Sequence, residues 1–490
     1  MSTAQGVAPN NRTGRVGRAG RGLIAGLAIG ASVVSAQPPA GPRDVAKVYA
    51  EVCAACHGSR LDGGKAQTML DDVWTFGGDD ASMTATIRDG RIAAGMPPFK
   101  ALLTEPEIRA MVFFLREQRM MIRAARTSAP AGAAPVTARV TEVRSAHHAF
   151  RIETLFDTLA TPWGFAFLPG GRLLVSERPG TLRVLEPGKP LPAPVAGTPR
   201  VWAQQDGGML DLALHPDYAT NGWIYLAYSE PGPSPTSTTR IVRGRIRDGR
   251  WVDQQTIFAS PANLYVADNT HFGARFLFDT QEHLFFTIGD RGIMSDAQSL
   301  ANPNGKIHRV HDDGRVPGDN PFAGRPGALG TIWSYGNRNP QGLAWHPVTG
   351  ELWSSEHGPR GGDELNVIGK GKNYGWPAIT YGINYDGTPI TDRTAQEGME
   401  QPVTYWTPTI APSGIAFYTG DRFPRWKNDL FVATLLGQHL RRLTLDGHRV
   451  KSEEVLFKGL GRVRHVATGP DGLLYVILND PGRIVRLVPL

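Results

Sequence analysis

The spacing of hydrophobic positions changes once along this chain. From about residue 145 onward, apolar residues fall in short runs divided by Gly, Pro and Asp. Six stretches share one grammar: GFAFLPGGRLLVSE, DLALHPDYATNGWIYLAY, RFLFDTQEHLFFTIGD, GLAWHPVTGELWSSE, GIAFYTGDRFPRWKNDLFVATL and HVATGPDGLLYVILND. Each reads as an apolar strand, a turn, and a second strand of period two. They recur about every 45 to 70 residues, the range of propeller blades. Residues 145–490 are therefore expected to form an all-β six-bladed propeller. A pair of β-sandwiches would not explain one recurring hairpin.

Residues 42–123 follow a helical period instead. DVAKVYAEVCAACH reads as one helix and LTEPEIRAMVFFLREQ as a second. In the second, Thr104 and Glu107 have capping-box spacing, and Ile108, Met111, Val112 and Leu115 fall at i, i+3, i+4 and i+7. Between the two regions RTSAPAGAAPVTAR, residues 126–139, is rich in Ala and Pro. It reads as a semi-extended linker with a reach of about 40 Å at roughly 3 Å per residue.

Composition narrows the partners. The formal charge is +7, but Arg12, Arg15, Arg18 and Arg21 precede the apolar run GLIAGLAIGASVV and the small-residue site Val34-Ser35-Ala36. That is the pattern of a cleavable secretory leader, residues 1–36, and its removal leaves +3. The apolar run is shorter than the roughly 20 residues that span a bilayer. A periplasmic or secreted protein is expected, with no stable membrane span and no nucleic-acid partner.

Only two cysteines occur in 490 residues, and both lie in CAACH: Cys53, Cys56, then His57. A structural zinc site would need a second pair of ligands, and a thioredoxin-type dithiol would leave the histidine unexplained. Covalent attachment of haem c accounts for all three residues, with two thioethers and an axial imidazole. Two helices bracketing this motif resemble a class I cytochrome c. The second axial ligand should be a thioether on the intervening loop. Met96 in RIAAGMPPF has a proline-stiffened frame, whereas Met69 and Met83 compete by position alone.

A cytochrome moves electrons but does not generate them, so the propeller must hold the source or sink. HFGARF carries His271 and TIGDRG carries Asp290, at opposite strands of one predicted hairpin. A histidine oriented by a carboxylate suits general-base chemistry, although the same pair also occurs as a purely structural contact. GNRNPQG adds Arg338 and Asn339, and GRVRHV adds Arg462 and Arg464 on one strand face. Converging arginines suit an anionic ligand.

HFGARF, GDRG, GNRNPQGLAWHP, EHGPRGGDELN, NYGWP and GRVRHV, in that order, resemble the soluble glucose dehydrogenase and aldose sugar dehydrogenase family. The resemblance implies a six-bladed propeller carrying pyrroloquinoline quinone (PQQ) and calcium. It implies His271 as the base for the sugar hydroxyl, Asp290 as its orienting carboxylate, and Arg338 beside the developing oxyanion. It further implies Arg462 and Arg464 as partners of the PQQ carboxylates, with Asn339, Thr409, Tyr385, Gly437, Gln438, Gln205 and Asp206 as other contacts. The carbonyls of Gly358 and Pro359 would face a catalytic calcium, and Glu364 and Tyr374 a structural one. In AQQDGGML, Asp206 stands where the family usually has Gln, with Gln205 one place earlier, and no lysine appears near ATLLGQ.

The whole chain thus reads as a sugar dehydrogenase fused to its own electron acceptor, delivering onward to a further cytochrome or other acceptor. Two other classes fit parts of it. A calcium-dependent propeller lactonase would use His271 and Asp290 on water, and a non-catalytic propeller would dock the cytochrome to a partner.

Overall fold

The computed structural model describes residues 43–71, 73–127 and 142–490. The expected leader and most of the expected linker, from residue 128, lie outside them.

The N-terminal region is helical. Helix α1 (Val45–Val48) continues through a π-helical turn, Tyr49–Cys53, into α2 (Ala54–His57). Asp44 caps α1 through the amide of Ala46, and Gly58, at φ +76°, ends α2. Helix α3 (Asp80–Asp89) is capped by Asp79. It has no counterpart in the sequence reading, because DASMTATIRD buries only Met83 and Ile87 and shows little periodicity. Helix α4 spans Glu105–Thr127. Its start is a capping box: the Thr104 amide donates to Glu107 Oε2 at 2.9 Å, and the Glu107 amide to Thr104 Oγ1 at 3.4 Å. The helix overruns the expected limit at 123 and takes the first two positions of the expected linker, since no Gly or Pro interrupts it before Pro130. Ile108, Met111, Val112 and Leu115 are all buried, as their spacing requires.

The remainder is a six-bladed propeller, with six antiparallel sheets among the described residues. Each repeated hairpin supplies the two inner strands of one blade. Pro162–Phe167 pairs with Leu173–Glu177, for example, and Pro412–Phe417 with Leu430–Thr434. Ala149–Phe156 adds to the last blade by pairing with Gly482–Pro489, so one sheet joins both ends of the propeller and closes the ring. The closure leaves no free edge between first and last blades.

The helical region packs on the fourth blade. Ile383, in the connection between Asp363–Ile368 and Thr404–Trp406, is part of the apolar cluster formed by α1, α3 and α4. Arg360 makes a bidentate ion pair with Glu117 of α4. Among the described residues no helix is long and apolar enough to cross a membrane.

Candidate active site and haem cavity

His271 precedes the inner strand Phe276–Phe278 and Asp290 follows its partner Leu284–Ile288, so the hairpin brings them to the same end of the blade. His271 Nδ1 lies 2.6 Å from Asp290 Oδ1. The histidine backbone sits at φ +53°, in the left-handed region. Asp290 Oδ1 also accepts from the Gly292 amide at 3.0 Å, and Oδ2 from Trp376 Nε1 at 2.8 Å. Burial pushes the Asp290 carboxyl up, but the hydrogen bond and charge of His271 and the charge of Arg338 outweigh it. The carboxyl is held below its usual range and is ionised. A carboxylate accepting from Nδ1 assigns the proton to that nitrogen and leaves Nε2 as the basic lone pair.

Arg291, the next residue, holds the backbone of the same segment. Its fully buried guanidinium donates to the carbonyls of Asp268 at 2.6 Å and Thr270, and to Ser237 Oγ at 3.2 Å. One turn therefore carries both the orienting carboxylate and the clamp on the histidine loop.

Beside His271 lies a cavity of about 160 Å³ lined by Trp163, Asp206, Phe272, Asn339, His357, Arg462 and Arg464, among others. Arg464 Nη1 donates to Gln341 Oε1 at 2.8 Å and to Ser413 Oγ at 3.2 Å, while its Nε is buried without a partner. Burial, reinforced by the charge of Arg275, pushes this guanidinium down to about 9. A buried cation with an orphaned donor is stabilised by an anion. The donor set therefore fits a planar polycarboxylate such as PQQ. Arg275, which is not among the cavity lining, pairs with Asp211 at 3.1 Å and stacks over Trp163, with its Nη2 buried and unpartnered.

Arg338 occupies a second, smaller cavity of about 10 Å³, shared with Glu356, His357, Gly358, Pro359, Glu364 and Tyr374. Its Nη1 donates to the carbonyls of His357 at 3.2 Å and Gly358 at 2.5 Å. Glu356 and Glu364 are bridged by the Asn366 amide at 3.1 Å to each, and burial raises both carboxyls above their usual range. Two desolvated carboxylates and adjoining carbonyls fit an oxygen-ligated cation such as calcium. No cluster of three or more His, Cys, Asp or Glu side chains forms among the described residues, so backbone oxygens would complete the set. The Tyr374 phenol donates to the Val367 carbonyl at 2.6 Å, which leaves its backbone carbonyl for that role.

The other expected contacts are spread more widely. Asn339 Oδ1 accepts from Gln341 Nε2 at 2.9 Å and from the Gly273 amide at 3.2 Å. Thr409 Oγ1 donates to Asp363 Oδ2 at 2.5 Å, and Asp363 also accepts from the amides of Ile410 and Gly358. Thr409 thus ties the 358 loop to the next blade instead of lining the cavity. The Gly437 amide donates to the Ile410 carbonyl at 3.0 Å, and neither Gly437 nor Gln438 is among the lining residues, whereas Leu435 is. Gln205 is exposed and Asp206 takes the cavity position. Tyr385 is 71% exposed, with Arg338 5.9 Å from its ring centre. His357, Trp376, Glu356 and Arg291 were not singled out from sequence, although all lie within the quoted motifs.

In the helical region a cavity of about 430 Å³ is lined by His57, Met69, Trp74, Phe76, Met83, Ile87, Arg91, Met96 and Leu115, among others. Its size suits a flat macrocycle. Cys53 and Cys56, on the turn that ends at His57, are free thiols. Burial, then the charge of Cys56, pushes the Cys53 thiol up to about 11. Burial lowers His57, so the imidazole is in the neutral form that ligates metals, with Nδ1 buried and unpartnered. All three methionines face this space. Only Met96 is framed by a tight bridge, accepting from the Arg91 amide at 2.7 Å and donating back at 3.1 Å.

Residues 159–486 match the glucose/sorbosone dehydrogenase family, and residues 40–115 match the cbb3-type cytochrome c oxidase subunit III family. The chain is 42% identical over 345 residues to the aldose sugar dehydrogenase YliI of Escherichia coli, covering 69% of this chain and 92% of that protein. The apo crystal structure of the soluble aldose sugar dehydrogenase of E. coli superposes with a TM-score of 0.67 at 41% identity, covering 70% of this chain and all of that one. A PQQ-bound aldose sugar dehydrogenase from Streptomyces coelicolor superposes at 0.58 with 29% identity, covering 70% and 98%.

Proposed function

We propose, from the premise that this chain belongs to the glucose/sorbosone dehydrogenase family, that it oxidises an aldose at C1 to the lactone with PQQ. The electrons then pass singly to a haem c held by its own N-terminal domain. The observation that carries the reading is the His271 and Asp290 pair opening beside a cavity floored by a partly unsatisfied Arg464.

PQQ would supply the two-electron acceptor carbonyl, polarised by a catalytic calcium ion at the Gly358 and Pro359 carbonyls, while Glu364 and Tyr374 would hold a structural one. His271 Nε2 takes the proton of the C1 hydroxyl, and the Asp290 carboxylate stabilises the imidazolium that results. Arg338, held over Trp376 and against the Gly358 carbonyl, directs its charge at the oxygen that becomes negative. Arg462 and Arg464 would neutralise the PQQ carboxylates, with Asn339 and Asp206 at the cavity wall and Tyr385 beside Arg338. In the helical domain Cys53 and Cys56 would attach haem c, a one-electron acceptor, and His57 and Met96 would ligate its iron. Haem attachment of this kind is consistent with export to the periplasm, followed by delivery to an external one-electron acceptor.

The test is an aldose panel on protein loaded with haem, PQQ and calcium. Dye reduction and appearance of the ferrous haem spectrum, both dependent on PQQ, are expected. Lactone ring opening with no dye reduction would instead place the His271 and Asp290 pair in a hydrolase.

A further inference from the structure

We propose that the haem domain is fixed on the propeller against the 357–362 loop that lines the cofactor site, and that electrons leave the propeller across α4. This rests on the reaction proposed above.

The anchor is Ile383. It is only 4% exposed, and its cluster otherwise belongs to the helical domain. Its backbone pairs with Arg360 in both directions, the Arg360 amide donating at 2.9 Å and the Ile383 amide at 3.2 Å. Arg360 in turn is locked to Glu117, with both side chains largely shielded from solvent. Between these ties Phe113 fills the space over Gly361. A β-carbon at that glycine, whose φ is +75°, would lie 1.9 Å from the Phe113 ring, so only glycine admits the contact. A second tie runs from α3, where Asp80 accepts from the Tyr405 hydroxyl at 3.2 Å and from Arg116 at 2.5 Å. Domains joined only by polar surface move relative to one another by default. Here an apolar plug, a shielded ion pair and a glycine notch oppose that motion.

The geometry of α4 gives the docking its consequence. Phe113 and Glu117 lie one turn apart on the face against the propeller, whereas Leu115, two positions from each, lines the haem cavity. A single helix, roughly 10 Å across, therefore separates the haem cavity from the 357–362 loop. That loop carries His357, which lines both propeller cavities, and Gly358, the acceptor of Arg338. The same docking holds Ile383, two residues before Tyr385, whose ring centre lies 5.9 Å from the Arg338 guanidinium. The haem domain thus supports two segments that shape the site.

Each turnover breaks the C1–H and O–H bonds of the sugar and releases two electrons and two protons. A bound quinone would take both electrons, and the haem would pass them on one at a time to an external one-electron acceptor such as ferricyanide, which regenerates its ferric state between the two. The two protons leave to solvent.

Charge reversal tests the docking in the full-length protein. Glu117→Arg alone should loosen it, and Glu117→Arg with Arg360→Glu should restore it. In haem-loaded protein without PQQ, small-angle scattering should show a larger radius of gyration for the single variant and recovery in the double. In fully loaded protein, stopped-flow haem reduction by an aldose should fall at least ~10-fold in the single variant and recover in the double, as docking gives way to a tether. Ile383→Glu should reproduce the single variant. Unchanged scattering in both Glu117→Arg and Ile383→Glu would overturn the proposal. So would an unchanged haem reduction rate in an expanded variant. Absence of PQQ-dependent dye reduction in the wild type would instead remove the proposed reaction, leaving the scattering result to stand on its own.

Discussion

His271 and Asp290, 19 residues apart in sequence, share a 2.6 Å hydrogen bond across the mouth of one propeller hairpin. Trp376, from the following blade's long connection, holds the other carboxylate oxygen at 2.8 Å. The carboxylate is thereby fixed from two sides, and the imidazole has one orientation.

Removing the base should separate chemistry from cofactor binding. His271→Ala is expected to lower kcat by roughly 10²–10⁴-fold, the usual contribution of a general base, with the bound-quinone absorbance retained. Asp290→Asn should also lower kcat, because the amide no longer assigns the Nδ1 proton. Steady-state kinetics with a dye acceptor, alongside quinone titration, reads both. Full activity in His271→Ala would rule out its role as base.

Arg291→Met should act at a distance through the backbone. It removes the donors to the carbonyls of Asp268 and Thr270 and leaves them buried. A loss of about 1–3 kcal/mol per orphaned group is expected in urea unfolding. Dye-linked kcat should fall as well, while the quinone titration is unchanged.

Acid should destabilise the propeller from about pH 6.5 downward. Burial pushes the His308 imidazole down to about 3 and His439 to about 4, and lowers His465 well below its usual value. Below about 6.5 the unfolded chain binds protons that these folded imidazoles refuse, so stability is lost progressively as pH falls toward the folded values. Thermal midpoints recorded between pH 7 and 4 should fall with decreasing pH. His308→Gln should flatten that slope, whatever its effect on the midpoint at pH 7.

Met96→Ala should open the sixth position of the haem iron and lower its potential, because thioether ligation favours ferrous iron. Met69→Ala and Met83→Ala, which line the same cavity, should leave the low-spin spectrum in place. A reversal of this pattern in absorbance and redox titration would move the ligand to another methionine.

Much of the plan was legible because it is local. CAACH needs only five consecutive residues, and each blade hairpin repeats a pattern of period two within about 25 positions. His271 and Asp290 could be paired from sequence because one hairpin connects them. The capping box of α4 spans four residues, Thr104 to Glu107. Local periodicity records which face of an element is buried, and that is enough to count blades and find the hairpin ends.

Contacts between elements left no such record. Helix α3 buries too few residues to show a period, and α4 runs on to Thr127 where a linker was expected. Trp376 reaches Asp290 from 86 residues away, and Arg360 reaches Glu117 from 243. Thr409 turned out to face Asp363, because a buried carboxylate draws every nearby donor. The Ala- and Pro-rich stretch permits a long reach, so sequence suggested a haem domain on a tether. Its docked position depends on Phe113 meeting Gly361 and on Ile383 entering an apolar cluster of another domain. Which surfaces meet is set by shape and burial summed over residues far apart in the chain, and only the folded molecule brings those terms together.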